Sequence, residues 1–198
     1  MDIRAYFSAV QDLLNHVPFD AVDKVVERLM DANRAGQTIF ICGNGGSAAT
    51  ATHFGCDLSK RPLVEGQPRF RVVAITDNIS LMTAVSNDIS YDECFAEQIK
   101  SLVRPDDVLI AISGSGNSRN VIRAIEVADQ MGATTIGFCG YDGGKMKPLV
   151  DIPVHVPSFN MAMVEDVHLM LEHAICEKLL ALRKAAVPVA LPNGSGGG

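Results

Sequence analysis

Twice in this chain an unbroken apolar run ends in a turn of glycine, serine and asparagine and then continues as a helical pattern. Thr38-Ile39-Phe40-Ile41 runs into Cys42-Gly43-Asn44-Gly45-Gly46-Ser47. Val108-Leu109-Ile110-Ala111-Ile112 runs into Ser113-Gly114-Ser115-Gly116-Asn117-Ser118. Strands that are apolar on both faces belong inside a parallel sheet covered by helices. The small residues fall where strand hands over to helix, and there backbone N–H groups and a helix N-terminus can hold an anion. Neither turn carries the GxxxxGK[ST] pattern or a full GxGxxG fingerprint with its acidic partner. Two tight turns with ordinary helix caps would share this glycine content. Ser113, Ser115 and Ser118 put three hydroxyls on one anion-sized turn, and this favours a phosphate, such as that of a sugar, held by neutral donors. Lys60, Arg61 or Arg119 would supply positive charge from nearby.

The rest of the chain repeats the alternation. Helical spacing predicts amphipathic helices over 3–16 and 20–35, the second stopped by Gly36. Strand 38–42 leads to a helix over 47–58, with Ser47 able to cap it, and a loop over 59–69. Strand 71–75 is followed by short helices over 79–86 and 91–101. Strand 108–112 leads to a helix over 117–131, strand 134–139 to a glycine-rich loop over 140–148, and strand 152–156 to a long helix over 160–184. The expected fold is Rossmann-like: a three-layer α-β-α sandwich around a central parallel sheet of about five strands. Residues 1–36 form an amino-terminal helical extension expected to be part of an oligomer interface, because two amphipathic helices outside the sheet core need an apolar surface to cover; 37–185 form the α/β domain, and 186–198 a flexible tail. Ligands in such sheets bind beyond the carboxyl ends of the strands, where both serine-bearing turns lie.

A net charge of −6 argues against a nucleic-acid surface. No apolar run is long enough for a membrane helix, and no signal-peptide core follows Met1. The five cysteines lack CxxC spacing and sit in apolar settings, so they read as buried free thiols of a cytoplasmic protein.

His53 and Asp57 are four apart on the helix after the first turn, hence on one face. Glu165 and His173, eight apart on the last helix, are offset by a modest angle. Two nitrogens and two carboxylates from two helices suit zinc or a similar divalent ion. Periodicity does not choose His173 over His168. Glu172 is expected to face solvent or to support the ligands from behind.

At these residues the chain resembles the phosphoheptose isomerases, a branch of the sugar-isomerase (SIS) domain proteins, over about residues 3–184. The resemblance rests on Cys42 to Ser47 followed by His53, Phe54 and Asp57. It also rests on Ile112 to Ser118, on Gly140 with Asp142-Gly143-Gly144-Lys145-Met146, and on a last helix bearing Glu165, His168 and His173. It implies a single SIS domain in a cytoplasmic homotetramer with sites between subunits. The implied reaction is isomerisation of sedoheptulose 7-phosphate to D-glycero-D-manno-heptose 7-phosphate through an enediol. Carried over residue by residue, Asp57 and His173 become catalytic. Asn44, Gly45, Gly46, Ser47, Arg61, Asn87, Asp88, Ser113, Gly114, Ser115, Asn117, Ser118 and Glu165 become phosphate- or substrate-binding, and His53, Asp57, Glu165 and His173 hold Zn2+. Four positions depart from the family pattern: Asp57 stands for glutamate, Glu165 for glutamine, Ala162 for aspartate and Gly114 for threonine. A related branch binds a replication-initiator protein, so the alternative is a non-catalytic SIS protein that binds that partner or a sugar phosphate. Keeping both His53 and His173 argues against it.

Overall fold

The computed structural model describes residues 2–186. Of the expected tail only Ala186, which closes the last helix, lies among them; residues 187–198 fall outside. Five strands, β1 (Thr38–Gly43), β2 (Arg71–Ala74), β3 (Val108–Ser113), β4 (Thr134–Cys139) and β5 (Ile152–His155), form one parallel sheet in the order β2-β1-β3-β4-β5. The three-layer α/β sandwich expected from the alternation is therefore the observed fold. β1 has β2 on one side and β3 on the other, so the chain reverses its direction of winding between them. Connections leaving the carboxyl ends of β1 and β3 diverge to opposite faces and open a crevice. Both serine-bearing turns occupy that crevice.

Side-chain alternation divides the core in two. Ile39, Ile41, Val108, Ile110 and Ile112 point to the face covered by α1 (Ile3–Leu14), α2 (Phe19–Ala35), α3 (Gly46–Lys60) and α7 (Met161–Ala185). Phe40, Cys42, Leu109 and Ala111 point to the opposite face, under α4 (Ile79–Asp88), α5 (Ala96–Leu102) and α6 (Arg119–Gln130). Val25, Val26 and Leu29 of α2 are buried in the first of these cores, so α2 covers the chain's own sheet, while α1 packs on α7. The helix expected over 91–101 is split. A 3-10 turn at Tyr91–Glu93 precedes α5, and between them Cys94 and Phe95 dive into the second core. Cys56 contradicts the expectation of five buried thiols: it is free but exposed on the outer side of α3, whereas Cys42, Cys94, Cys139 and Cys176 are buried.

One buried cation ties the end of α7 to the rest. Arg183 is 1% exposed. Its Nη1 donates to Asn33 Oδ1 at 2.8 Å, its Nη2 donates to the Pro68 carbonyl at 2.8 Å, and its guanidinium lies 5.1 Å from the Phe70 ring centre. Gln67 in turn donates to the Arg183 carbonyl at 2.8 Å. Burial lowers the Arg183 pKa from its ordinary value. Arg183→Ala should therefore leave two buried acceptors unpaired and open a cavity, with an expected loss of about 3 kcal/mol read as a lower urea midpoint at unchanged slope.

Candidate active site

The two turns meet around a cavity of about 210 Å³, lined from the first by Asn44, Gly45, Gly46 and Ser47 and from the second by Ser113, Gly114, Ser115 and Ser118. Met161 and Glu165 of α7 close it. Gly45 ends the first turn at φ +57°, ψ −123°, a conformation open to glycine and strained for any other residue. Ser47 does not cap α3, contrary to expectation. It lies inside the helix, Gly45 is the N-cap, and no side chain bonds the first-turn N–H groups. Ser118 caps α6 by position, also without a side-chain bond. By contrast α1, α4 and α7 are capped by the side chains of Asp2, Asn78 and Asn160. Two helices thus aim free N–H donors and the positive ends of their dipoles at the cavity.

A hydrogen-bonded frame fixes the two turns to each other. Asn44 Nδ2 donates to Asn120 Oδ1 at 2.8 Å, Asn120 Nδ2 donates back to Asn44 Oδ1 at 2.9 Å, and the Tyr91 hydroxyl donates to Asn44 Oδ1 at 2.8 Å. Neither Asn120 nor Tyr91 was singled out from sequence, because their partners are distant in the chain. Ser113 and Ser118 hydroxyls lie 3.1 Å apart. Asn117 stands on the outer side of its turn, where its Nδ2 donates to the Ser115 carbonyl and its Oδ1 accepts from the Lys145 N–H. The Gly140–Met146 loop braces the turn from below: Gly140 donates to the Gly114 carbonyl and Met146 to that of Gly116. A Cβ on Gly114 would collide with the Met161 sulfur, so this methionine fills the space that a threonine side chain would need.

Farther along the same two helices is a second cluster. His53 and Asp57 of α3 face Glu172 and His173 of α7, with one donor atom from each within 4.8 Å of the others. His53 Nε2 and His173 Nε2 are each 3.8 Å from Asp57 Oδ2, and His173 Nε2 is 3.5 Å from Glu172 Oε2. The imidazole rings, 5.0 Å apart and nearly perpendicular, form a half-exposed rim over two buried carboxylates. Asp57 Oδ2, both Glu172 oxygens and His173 Nε2 are buried without hydrogen-bond partners. Arg61 Nε lies 2.5 Å from Asp57 Oδ2, an ion contact without hydrogen-bond alignment, and its Nη1 donates to Glu177 at 3.2 Å. Buried oxygens and nitrogens lacking partners beside one another are unfavourable unless a cation joins them. Two imidazoles with two carboxylates suit a divalent metal of the zinc class.

The structure separates some expected partners. Glu165 is not in the cluster; its carboxylate lies against Gly46 in the serine-lined cavity. Glu172, expected to face solvent or to support the ligands from behind, does not face solvent: it is fully buried within the cluster. Two turns of helix separate these glutamates, and residues seven apart differ in direction by only about 20°, so periodicity gave no basis for choosing between them. His168 turns into the core, where its Nε2–H donates to the Cys139 carbonyl at 3.4 Å and its ring meets Phe138 edge-on. Asn87 and Asp88 are exposed at the end of α4, bonded to each other at 2.8 Å, and neither lines the serine cavity. Arg119 pairs with Asp92 at 3.0 Å.

Burial first, then the neighbouring Asp57 carboxylate, pushes Glu172 from 4.5 up to about 8, with Arg61 offsetting part of the rise. A proton on Glu172 would let it donate to Asp57; as two carboxylates the pair has no donor between them. Burial likewise holds the His168 imidazole down at about 4 against an ordinary 6.5, so stability should fall as pH drops below 6.5. For Glu172 the sign is opposite. Between 4.5 and 8 the unfolded chain ionises while the native chain keeps its proton, so native stability declines as pH rises through that window. With chelator present, the urea midpoint of the wild type should fall between pH 6.5 and 8, where His168 no longer contributes, and Glu172→Gln should flatten that decline.

Comparison with known proteins identifies the family. A family model described as "SIS domain" matches residues 5–140. The phosphoheptose isomerase of Aliarcobacter butzleri is 44% identical over 163 residues, covering 81% of this chain and 82% of the relative. That of Shewanella loihica is 41% identical over the same length and shares. The solved structure of the phosphoheptose isomerase from Neisseria gonorrhoeae superposes with a TM-score of 0.84 at 31% identity, over 90% of this chain and 97% of the other. With both turns, the helix pair and these likenesses in agreement, the chain belongs to the SIS-domain phosphoheptose isomerase family and is a phosphosugar isomerase.

Proposed function

We propose that the protein interconverts sedoheptulose 7-phosphate and D-glycero-D-manno-heptose 7-phosphate in the cytoplasm, as a homotetramer. The observation that carries the reading is the two-station layout of α3 and α7. Both helices start at the serine-lined cavity, and both bring their histidines together farther along. Ser47 and His53 are six residues apart on α3, a rise of about 9 Å. That separation suits a long sugar phosphate with its carbonyl end at the histidines. The apolar groove between α1 and α7, which includes Tyr6, Phe7, Leu169 and Met170, supplies a surface for self-association.

At the first station Ser47, Ser113, Ser115 and Ser118, with the free N–H groups of α3 and α6, bind the phosphate as neutral donors and helix ends. Glu165 stands at the inner edge of that cavity, where it would accept from a sugar hydroxyl. At the second station Asp57 removes a proton from C1 of the ketose. Its electron pair forms the C1–C2 double bond of a cis-enediol, and the proton returns to C2. His173 moves a proton between O1 and O2, which its exposed ring edge can reach. Arg61 holds the Asp57 carboxylate in place. A zinc ion would be held by His53, Asp57 and His173; the α7 position from which the family pattern takes its remaining ligand is Glu165, whose carboxylate lies in the serine-lined cavity. When bound the ion supplies polarisation of the carbonyl and stabilisation of negative charge on the sugar oxygens.

Two experiments test this reading. In deuterated water, a panel of five-, six- and seven-carbon ketose and aldose phosphates read by NMR should show deuterium entering C1 or C2 together with isomer formation, fastest for the seven-carbon pair. Absence of exchange with every sugar in metal-replete protein would overturn it. Replacing Ser115 and Ser118 together with alanine should weaken sugar-phosphate affinity by about 10-fold or more, as loss of hydrogen bonds to a charged group of about 1.5 kcal/mol or more requires, with the melting temperature nearly unchanged. Unchanged affinity by calorimetry would remove the phosphate from this cavity.

A further inference from the structure

We propose that Glu172, a position with no role in the family's ligand pattern, is the fourth ligand of the divalent ion in this chain, completing a set with His53, Asp57 and His173, and that Glu165 serves the sugar-phosphate cavity instead. The proposal rests on the reading that a divalent ion binds between α3 and α7. Three observations carry it. Glu172 is fully buried, and neither carboxylate oxygen has a hydrogen-bond partner. Such a group is stable only beside a cation or a proton. One of its oxygens lies 3.5 Å from His173 Nε2, and donor atoms from all four residues fall within 4.8 Å of one another. Two neighbouring atoms that also lack a hydrogen bond, His173 Nε2 and Asp57 Oδ2, the latter in ion contact with Arg61, belong to the same cluster.

Glu165 is placed differently. Its carboxylate packs against the Gly46 backbone at the start of α3, while Asp57 lies eleven residues farther along that helix. On α7 the two glutamates differ in level by about 10 Å, so one of them sits with the histidines and the other with the serines. The departures from the family pattern then make chemical sense together. Asp57 is a methylene shorter than glutamate and reaches less far toward an ion from α3, and Glu172 adds an oxygen donor from beneath. The result is a floor of two carboxylates under a rim of two imidazoles. The rim side remains open for water or sugar oxygens, as a catalytic rather than a purely structural ion requires.

The test uses the full-length protein stripped with chelator and titrated with Co2+, followed by visible absorbance and calorimetry. Wild type should bind one ion per chain, with the intense visible bands of a four- or five-coordinate site. Glu172→Gln should weaken Co2+ binding at least about 10-fold, since even supporting partners of metal ligands cost 10–100-fold, and it should alter the bands. Glu172→Met, which cannot coordinate through oxygen, should weaken it further. Glu165→Leu, which leaves no donor atom at that position, should leave both affinity and spectrum near wild type while weakening sugar-phosphate binding. Melting temperatures provide the folding control. Without metal, both Glu172 variants should still unfold in one cooperative transition; with metal, their temperature rise should be smaller than that of wild type. Wild-type affinity and spectrum in Glu172→Met, or their loss in Glu165→Leu, would overturn the assignment. Failure of the wild type to bind Co2+ or Zn2+ at all would instead remove the divalent ion from this helix pair, and the assignment with it.

Discussion

Everything at the site depends on one topological constraint: the chain leaves β1 and β3, adjacent parallel strands, toward opposite faces of the sheet. Divergence opens the crevice, and it also directs the first turns of α3 and α6 into it. No side chain caps the start of α3, and in the first turn of α6 only the Val121 N–H is taken, by Asn120 Oδ1 at 3.0 Å, whereas α1, α4 and α7 are capped by the side chains of Asp2, Asn78 and Asn160. A helix start left uncapped beside polar hydroxyls keeps its N–H groups unsatisfied until water or an anion arrives. The reciprocal Asn44–Asn120 amide pair holds the two turns at fixed separation. The Gly140–Met146 loop keeps the serine turn from collapsing.

The second constraint is the packing of α3 on α7. Their contact is apolar at its base, where Phe54, Leu58, Val164, Val167 and Leu171 enter one core. A rigid base is what permits a polar cluster at the edge. Two buried carboxyl groups are held near each other because the surrounding side chains cannot relax away from them, and their burial is a standing cost that a bound cation would offset. Arg61, the first residue beyond α3, offsets part of it. Affinity for a cation and loss of stability without one are therefore two expressions of the same geometry.

Gly114 shows how a departure from a family pattern is absorbed. Its missing side chain leaves a space beside the cavity, and Met161 reaches in from α7 to fill it. The cavity wall is kept apolar at this point by a residue from a different element. Methionine suits the task because its thioether adapts to irregular gaps. Asp57 and Glu172 form a similar exchange, one shorter carboxylate on α3 and one additional carboxylate on α7.

By itself, the sequence determined the layers and the serine-lined site. Apolar runs at 38–42 and 108–112 have no polar face, so they had to lie inside a covered parallel sheet, and the serines of their turns had to fall at its carboxyl edge. His53 and Asp57 were legible as a pair because they share one helix face. Tertiary structure alone decided which side chains of α7 meet that pair. Glu165 and Glu172 point almost the same way, because a helix repeats its direction nearly every seven residues, and His168 and His173 flank that direction on opposite sides. The level at which α3 crosses α7 breaks the tie: it sends Glu172 and His173 to Asp57, Glu165 to Gly46, and His168 to the core against Phe138. That level is set by packing between segments more than a hundred residues apart, and no local pattern encodes it.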